Sequence, residues 1–205
     1  MIQIFDIFRP FSDRLIHGVT TKKAEPIKQE PLFAVQIHGD TIHRVDEMPD
    51  HRPTGDALIT DAKGLPIGIK VADCQGILLF DPVQNAIAAV HSGWRGSTQN
   101  IIGKTVRRMA DEFGTEPEDI LAAISPSIGP CCLEFTDPFK ELPKAVHPFV
   151  YKRNLDFWAL GCHQLAEAGV RSIELKAECT KCHPDRYYSH RNGDEGRMEV
   201  FIGLI

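Results

Sequence analysis

The sequence has no excess of basic residues and no long apolar run. Its formal net charge is -5 at pH 7, which argues against an extended surface for binding nucleic acid. No stretch approaches the roughly 20 apolar residues that a transmembrane helix needs. The first eight residues contain no basic segment leading into a long apolar core. We therefore expect a cytoplasmic protein that binds neither nucleic acid nor membranes.

The chain also lacks repeats, low-complexity tracts, an obvious linker and the cysteine density of a disulfide-stabilised miniprotein. Apolar residues at 42% and charged residues at 25% are ordinary for a globular protein. A length of 205 residues suits one domain. We therefore predict a single domain over residues 1–205, which buries about 70% of the surface that the unfolded chain exposes.

Strand patterns alternate with two clear helical patterns. The first predicted helix begins near Ser97 or Thr98, either of which can cap it, and ends before Gly114. The second runs over 155–168 and is followed by a glycine. Apolar strands are predicted over 32–38, 76–80, 86–90, 120–124, 172–177 and 198–205. This mixture of hairpins and helices indicates the α+β class.

Two short apolar runs, 76–80 and 86–90, flank a turn-forming stretch and predict a β-hairpin. If Phe80 and Asn85 flank the loop, the register pairs Cys74 with His91 and sets their Cβ atoms roughly 5 Å apart. A thiolate and an imidazole at that separation suit zinc, which in catalytic sites takes three protein ligands and keeps a place for water. The hairpin therefore supplies two candidate zinc ligands, and the third must come from elsewhere in the chain.

The segment after His91 passes through glycines into the predicted start of the first helix. Exposed N–H groups there, the helix dipole and the Arg95 guanidinium would together bind an oxyanion such as phosphate. The alternative is that the glycines form a sharp turn and that Arg95 makes a structural salt bridge.

The remaining cysteines have several interpretations. Cys162 lies in the second predicted helix, where a small buried thiol is ordinary. Cys131 and Cys132 are adjacent and suit a tight loop. Cys179 and Cys182 match the C-x-x-C-H pattern of haem attachment, but such attachment normally accompanies export. A second metal pair, a redox couple and a loop without special chemistry are the other interpretations.

Six motifs follow one another in the order found in a single family, over nearly the whole chain. They are His17-Gly18-Val19-Thr20-Thr21, Gln36-Ile37-His38-Gly39, Ala72-Asp73-Cys74, His91-Ser92-Gly93-Trp94-Arg95-Gly96, Ile128-Gly129-Pro130-Cys131-Cys132-Leu133-Glu134, and Ser189-His190-Arg191 with Gly196-Arg197. The chain thus resembles the YfiH-like family, also called laccase-domain or polyphenol oxidoreductase proteins.

The resemblance implies a zinc ion bound by His38, Cys74 and His91, which agrees with the hairpin and supplies the third ligand. It also implies a four-layer α/β/β/α arrangement. Family members phosphorolyse adenosine, inosine and methylthioadenosine and deaminate adenosine, so the implied partners are a purine nucleoside and phosphate. The older laccase label implies copper in place of zinc and the oxidation of phenols.

Roles for individual residues follow from that chemistry. Zinc lowers the pKa of a bound water to about 7, which suits attack on C6 of adenine. Phosphorolysis needs a cationic phosphate anchor, and Arg95 and Arg191 are the candidates by motif position. Asp73, beside the ligand Cys74, would orient a ligand, move a proton or only cap the strand entry. His17 and His190 are candidate substrate contacts.

The chain departs from the family by being shortened near the N-terminus. Only 22–35 separates its first two motifs, where typical members carry several dozen residues. Gln75 and Ser92 also replace the usual residues, although neither change removes a ligand. Alternatives to the nucleoside enzyme are a copper phenol oxidase, an inactive module that binds a metal or a partner, and a cysteine hydrolase that uses Cys74 and His91.

Overall fold

The computed structural model describes all residues, 1–205. Its strands are β1 (Ile2–Gln3), β2 (Leu15–Thr20), β3 (Leu32–Phe33), β4 (Ile42–Arg44), β5 (Ala57–Thr60), β6 (Ile67–Val71), β7 (Gln75–Asp81), β8 (Ala86–Ser92), β9 (Leu121–Ile124), β10 (Val150–Tyr151), β11 (Asn154–Leu155), β12 (Ser172–Leu175) and β13 (Met198–Leu204). Its α-helices are α1 (Trp94–Thr98), α2 (Ile101–Phe113), α3 (Pro138–Glu141) and α4 (Phe157–Glu167). Short 3₁₀ helices cover Asp6–Phe11, Pro117–Asp119, Lys144–Phe149 and His190–Asn192. None of the helices is long and apolar enough to span a membrane.

Two mixed sheets form the centre of the molecule. The five-stranded sheet has the order β1-β2-β13-β6-β3, and only its β3–β6 pair is parallel. The six-stranded sheet has the order β12-β9-β7-β8-β5-β4, with parallel pairs at both edges. The pair β10–β11 is a separate small hairpin.

Strands β7 and β8 are buried along their whole length because both of their faces are covered. On one face, Leu78 and Phe80 join the core that lies between the two sheets. On the other face, Ile77 and Leu79 join a second core with residues of α2 and α4. Burial on both faces explains why these strands read as unbroken apolar runs.

The α+β class with more than one mixed sheet is confirmed. Helices α2 and α4 cover the six-stranded sheet and give an α/β/β order. The outer face of the five-stranded sheet carries Gly18, Gly68 and Phe201, with Lys70 and Glu199 paired at 3.1 Å. The helix layer and the two sheets therefore account for three of the four layers that the resemblance implies.

The predicted hairpin forms, but its register differs by two residues. His91 is paired with Gly76, and Asp81 with Ala86. The predicted register was wrong because Asp81 lies in the strand and shapes the turn. Its carboxylate accepts hydrogen bonds from the N–H groups of Val83 and Gln84, at 2.8 and 3.0 Å.

The helices and the remaining strands differ mainly at their ends. The first predicted helix is divided into α1 and α2, and the cap of α2 is Asn100, whose side chain accepts from the Gly103 N–H. Its predicted end before Gly114 is confirmed. The strand predicted over 32–38 was wrong beyond Phe33, where the chain turns into a loop.

Candidate metal centre and cationic cavity

The side chains of His38, Cys74 and His91 converge at one end of the two sheets. His38 lies in the loop between β3 and β4, Cys74 directly precedes β7, and His91 is near the end of β8. Their ligand atoms all lie within 4.8 Å of one another, and the two imidazole rings meet edge to face. These residues form a possible metal site because zinc accepts a donor set of this kind.

Unusual backbone geometry brings His38 and Cys74 together. His38 has a φ of 60° and Asp73 has a φ of 81°, which is the left-handed region that non-glycine residues seldom adopt. The preceding Gln36 holds its loop against β6, because its side chain accepts from the Lys70 N–H and donates to the Lys70 carbonyl. Such strained positions are typical of sites where the surrounding structure fixes the backbone.

Asp56, a fully buried residue just before β5, ties the site together. Its carboxylate accepts hydrogen bonds from the N–H groups of His38 and Gly39 at 2.9 and 2.7 Å. It also lies 2.7 Å from Nδ1 of His91. A carboxylate at Nδ1 fixes the tautomer of a histidine and leaves Nε2 free to bind a metal. The sequence did not identify Asp56.

The electrostatics of the site favour ionised Cys74. Burial opposes ionisation, but hydrogen bonds and charge from His38 and His91 outweigh burial and lower the pKa of the Cys74 thiol to about 7. Burial likewise opposes protonation of His91, yet Asp56 and Cys74 raise the pKa of His91 to about 9. Without a metal, these side chains therefore favour a Cys74 thiolate beside a His91 imidazolium.

Two glycines after His91 permit close approach of the chain to the site. A Cβ atom on Gly93 would lie 3.1 Å from Sγ of Cys74 and 3.2 Å from Cδ2 of His38. A Cβ atom on Gly96 would lie 3.0 Å from the Gly39 carbonyl oxygen. A side chain at either position would therefore require the neighbouring atoms to shift by a few tenths of an ångström.

The helix start predicted at Ser97 or Thr98, which would have supplied a dipole to the oxyanion site, was wrong. The helix that begins at Trp94 is the short α1, and the long helix α2 begins only at Ile101. A strong helix dipole therefore does not point from this segment into the site, and positive charge has to come from side chains.

Asp73 holds neighbouring loops together. Its two carboxylate oxygens accept hydrogen bonds from the Thr180 hydroxyl at 2.6 Å and from the Arg191 N–H at 2.8 Å. Its backbone carbonyl accepts from the Ile128 N–H. These contacts make Asp73 a link between the Cys74 turn and the loops that carry Thr180 and Arg191.

A cavity of about 580 Å³ opens beside the three candidate ligands. This volume is within the range of small-molecule sites. Its walls combine apolar residues with many cations, and they are formed by Ala34, Val35, Gln36, His38, Arg52, Lys70, Ala72, Asp73, Cys74, His91, Trp94, Arg95, Ile128, Leu133, Phe157, His190, Arg191 and Arg197.

The arginines of the cavity lack carboxylate partners within the chain. Arg95 lies over the Trp94 ring, with its Cζ 4.3 Å from the ring centroid, and its guanidinium makes no ion pair. The guanidinium groups of the other three arginines donate hydrogen bonds to backbone carbonyls only; they are Arg52, Arg191 and Arg197. The cavity therefore concentrates positive charge in a chain of net charge -5.

The structure brings most of the residues predicted from the sequence to this cavity. Asp73, Arg95, His190 and Arg191 line it together with the three candidate ligands. His17 does not. Its ring lies between the sheets, 5.1 Å from the Phe8 ring and 6.1 Å from the Phe5 ring, and burial there lowers the pKa of His17 to about 4. The sequence also missed Arg52 and Lys70, which no motif marks.

One family model and several named relatives match most of this chain. The family described as "multi-copper polyphenol oxidoreductase laccase" matches residues 19–205. A protein of Aquifex aeolicus named "purine nucleoside phosphorylase" is 32% identical, with 87% of this chain and 84% of that protein covered. A protein of the same name from Bacteroides thetaiotaomicron is 36% identical, with 73% of this chain and 60% of that protein covered.

A solved structure has the same fold. The crystal structure of the hypothetical protein YfiH of Bacillus licheniformis superposes with a TM-score of 0.82 at 27% sequence identity. The superposition covers 93% of each chain.

Proposed function

The chain belongs to the multi-copper polyphenol oxidoreductase laccase family, and we propose that it is a zinc-dependent purine nucleoside phosphorylase. Adenosine, inosine and methylthioadenosine are the proposed substrates, with deamination of adenosine as a second activity of the same site. The names of the two relatives support the general activity. The arginines that lack acidic partners, beside a His-Cys-His group, are the observation that carries the proposal.

Phosphorolysis requires a site that binds an anion next to an apolar wall. An oxygen of phosphate forms a bond to C1′ of the ribose while the bond from C1′ to the purine nitrogen breaks. The purine leaves with the electron pair and takes up a proton. Guanidinium groups bind phosphate through paired charge-assisted hydrogen bonds, and we assign this role to Arg95 and Arg191.

The apolar part of the cavity suits the purine and the sugar. Ile128, Leu133 and Phe157 line it together with the Trp94 ring. Burial of the nucleoside against these side chains excludes water, which strengthens the attraction between phosphate and the arginines. His190, at the rim of the same cavity, is assigned a contact with the substrate.

The three candidate ligands fit zinc. A thiolate and two imidazoles within 4.8 Å, with Asp56 fixing the tautomer of His91, are the donors that catalytic zinc sites use. Zinc held by His38, Cys74 and His91 would supply a Lewis acid and would activate water near neutral pH, which is the chemistry that deamination needs. Asp73 acts as a positioning residue because both of its oxygens are engaged.

The experiment that tests the proposal measures products directly. Protein of known zinc content is incubated with each nucleoside, with and without phosphate, and the free base, ribose 1-phosphate and inosine are separated by chromatography. We expect base release that depends on phosphate and that disappears in Cys74→Ala. No base release from protein that carries stoichiometric zinc would contradict the proposal for these nucleosides.

An arginine variant tests the phosphate anchor. A charged hydrogen bond contributes about 1.5–3 kcal/mol, so Arg95→Ala should lower kcat/KM for phosphate by about 10- to 100-fold. The matched control is Arg171→Ala, because Arg171 is exposed and paired with Glu118 on the surface. Equal effects of the two substitutions on kcat/KM would show that Arg95 does not bind phosphate.

A second candidate function, a cysteine hydrolase, rests on the pKa of Cys74. A thiolate beside a protonatable imidazole is also a nucleophile pair. The two functions differ in what restores activity after a chelator has removed the metal. Zinc restores a phosphorylase, whereas a hydrolase stays active without metal and is inactivated by iodoacetamide. Phenol oxidation after copper loading would instead support the laccase label.

A further inference from the structure

Four cysteines from two distant loops converge outside the His38–Cys74–His91 group. They are Cys131, Cys132, Cys179 and Cys182, and their sulfur atoms all lie within 4.8 Å of one another. Sγ of Cys182 is 3.8 Å from Sγ of Cys131 and 3.5 Å from Sγ of Cys132. A tetrahedral zinc ion with bonds of about 2.3 Å to sulfur separates its ligands by about 3.8 Å. The sulfurs therefore already have the spacing of a four-cysteine zinc site.

The two loops are built as tight turns that present their cysteines. In the first loop, the N–H groups of Cys132 and Leu133 both donate to the Gly129 carbonyl. In the second, the Cys182 N–H donates to the Cys179 carbonyl across the C-x-x-C spacing, a ligand spacing found in zinc sites. The Gly129 N–H also donates to Sγ of Cys179 at 3.3 Å, so one loop contributes a hydrogen bond to a sulfur of the other.

The surroundings favour a metal over the other uses of this motif. Nδ1 of His183 lies 2.9 Å from the carbonyl oxygen of Cys179, so the His183 ring forms a hydrogen bond within its own turn. A haem bonded to Cys179 and Cys182 would need space where Cys131 and Cys132 lie. Four convergent sulfurs are the donor set that zinc and iron select, and closed four-ligand sites of this kind are structural.

We propose that Cys131, Cys132, Cys179 and Cys182 bind a structural zinc ion. Its effect would reach the cavity through Thr180, which lies between two of the ligands and donates its hydroxyl hydrogen bond to Asp73 at 2.6 Å. Asp73 directly precedes Cys74. The ion would thus fix the loop that holds the Cys74 turn in place, while taking no part in the reaction.

The test counts metal ions and needs no activity measurement, so it stands apart from the test of the proposed function. Wild-type protein is expressed with zinc and purified under reducing conditions without chelators. Its metal content is then measured by inductively coupled plasma mass spectrometry. We expect two zinc ions per chain in wild type, one in Cys74→Ala, and one in the double variant Cys131→Ser/Cys182→Ser. The matched control Cys162→Ser changes a cysteine of α4 outside both groups and should keep two.

Cobalt substitution in the Cys74→Ala protein tests the donor set. Cobalt bound by four thiolates gives intense thiolate-to-metal charge-transfer absorption, which the additional substitutions Cys131→Ser and Cys182→Ser should abolish. One zinc ion in wild type that is lost on Cys74→Ala would overturn the proposal, even if the double variant fails to fold. Iron in place of zinc, or a disulfide between the loops detected as missing free thiols, would overturn it as well.

Discussion

At the scale of single residues, Asp56 controls the geometry of the candidate metal centre. Its buried carboxylate accepts hydrogen bonds from the backbone of His38 and Gly39 and faces Nδ1 of His91. It therefore fixes the position of one candidate ligand and the tautomer of another. Interactions of this kind raise the basicity of a ligand and orient its ring.

We predict that Asp56→Asn weakens zinc binding by about 10- to 100-fold, the range typical of lost partners of metal ligands. The carboxylate of Asp56 now accepts hydrogen bonds from backbone N–H groups through both of its oxygens. In the variant, an NH₂ group replaces one oxygen and would face an N–H donor, so one of these hydrogen bonds is lost. Competition with a chromophoric chelator measures the affinity. Asp61→Asn is the control, because Asp61 lies on the surface beside Arg44. Equal affinities in the two variants would contradict the prediction.

The convergence of the three candidate ligands was predictable from the sequence, and the role of Asp56 was not. Cysteine and histidine carry distinctive metal chemistry, so a short motif is enough to mark His38, Cys74 and His91. Asp56 is an ordinary aspartate whose partners lie 17 to 35 residues away, and only the fold brings them together. The same holds for Arg52, which reaches the cavity from a loop without a motif.

At the scale of elements, the hairpin β7–β8 explains why Cys74 and His91 lie close together although the predicted register was wrong. The Asp81 side chain moves the turn, and the pairing shifts by two residues. An even shift keeps each side chain on its face of the sheet, whereas a shift by one would reverse every face. Cys74 then reaches His91 through the turn at Asp73 rather than as its direct partner in the ladder.

The connection from β8 to α1 gives a prediction at the same scale. Gly93→Ala would place a Cβ atom 3.1 Å from Sγ of Cys74 and 3.2 Å from Cδ2 of His38. Because two candidate zinc ligands fill that space, we expect zinc affinity to fall by about 10-fold or more as their side chains are displaced.

The matched control for Gly93→Ala is Gly39→Ala. A Cβ atom on Gly39 would meet its nearest neighbour at 3.6 Å, an ordinary van der Waals contact. The zinc affinities and the melting temperatures of both variants are measured. If Gly93→Ala binds zinc as well as Gly39→Ala does, the steric argument for the motif is wrong.

At the scale of the whole molecule, the local patterns of the sequence predict the class of fold but not the distribution of charge. Unbroken apolar runs correctly indicated the strands β7 and β8, and the structure adds that both faces of these strands are covered. The net charge of -5 gave no sign of the cationic cavity, since the arginines come from separate segments of the chain and only the tertiary structure brings them together. Layer order likewise depends on long-range packing, which local patterns do not determine.

The core between the two sheets predicts how stability depends on pH. Burial among Phe5 and Phe8 lowers the pKa of His17 to about 4 from its ordinary value of 6.5. Between these values the unfolded chain takes up a proton that the folded chain does not. The stability associated with neutral His17 is therefore present above pH 6.5 and is lost as the pH falls towards 4. After allowance for partial exposure, we expect a loss of about 1 kcal/mol for each pH unit in this window.

Urea denaturation at several pH values between 4 and 7 measures this effect. His17→Gln keeps an acceptor for the Phe5 N–H, which now donates to Nδ1 of His17, but it cannot be protonated. The unfolding free energy of this variant should therefore fall less steeply with acid than that of wild type. His163→Gln alters a half-exposed histidine of α4 and controls for the loss of any histidine. Parallel curves for wild type and His17→Gln would mean that His17 takes up its proton as readily in the folded chain as in the unfolded one.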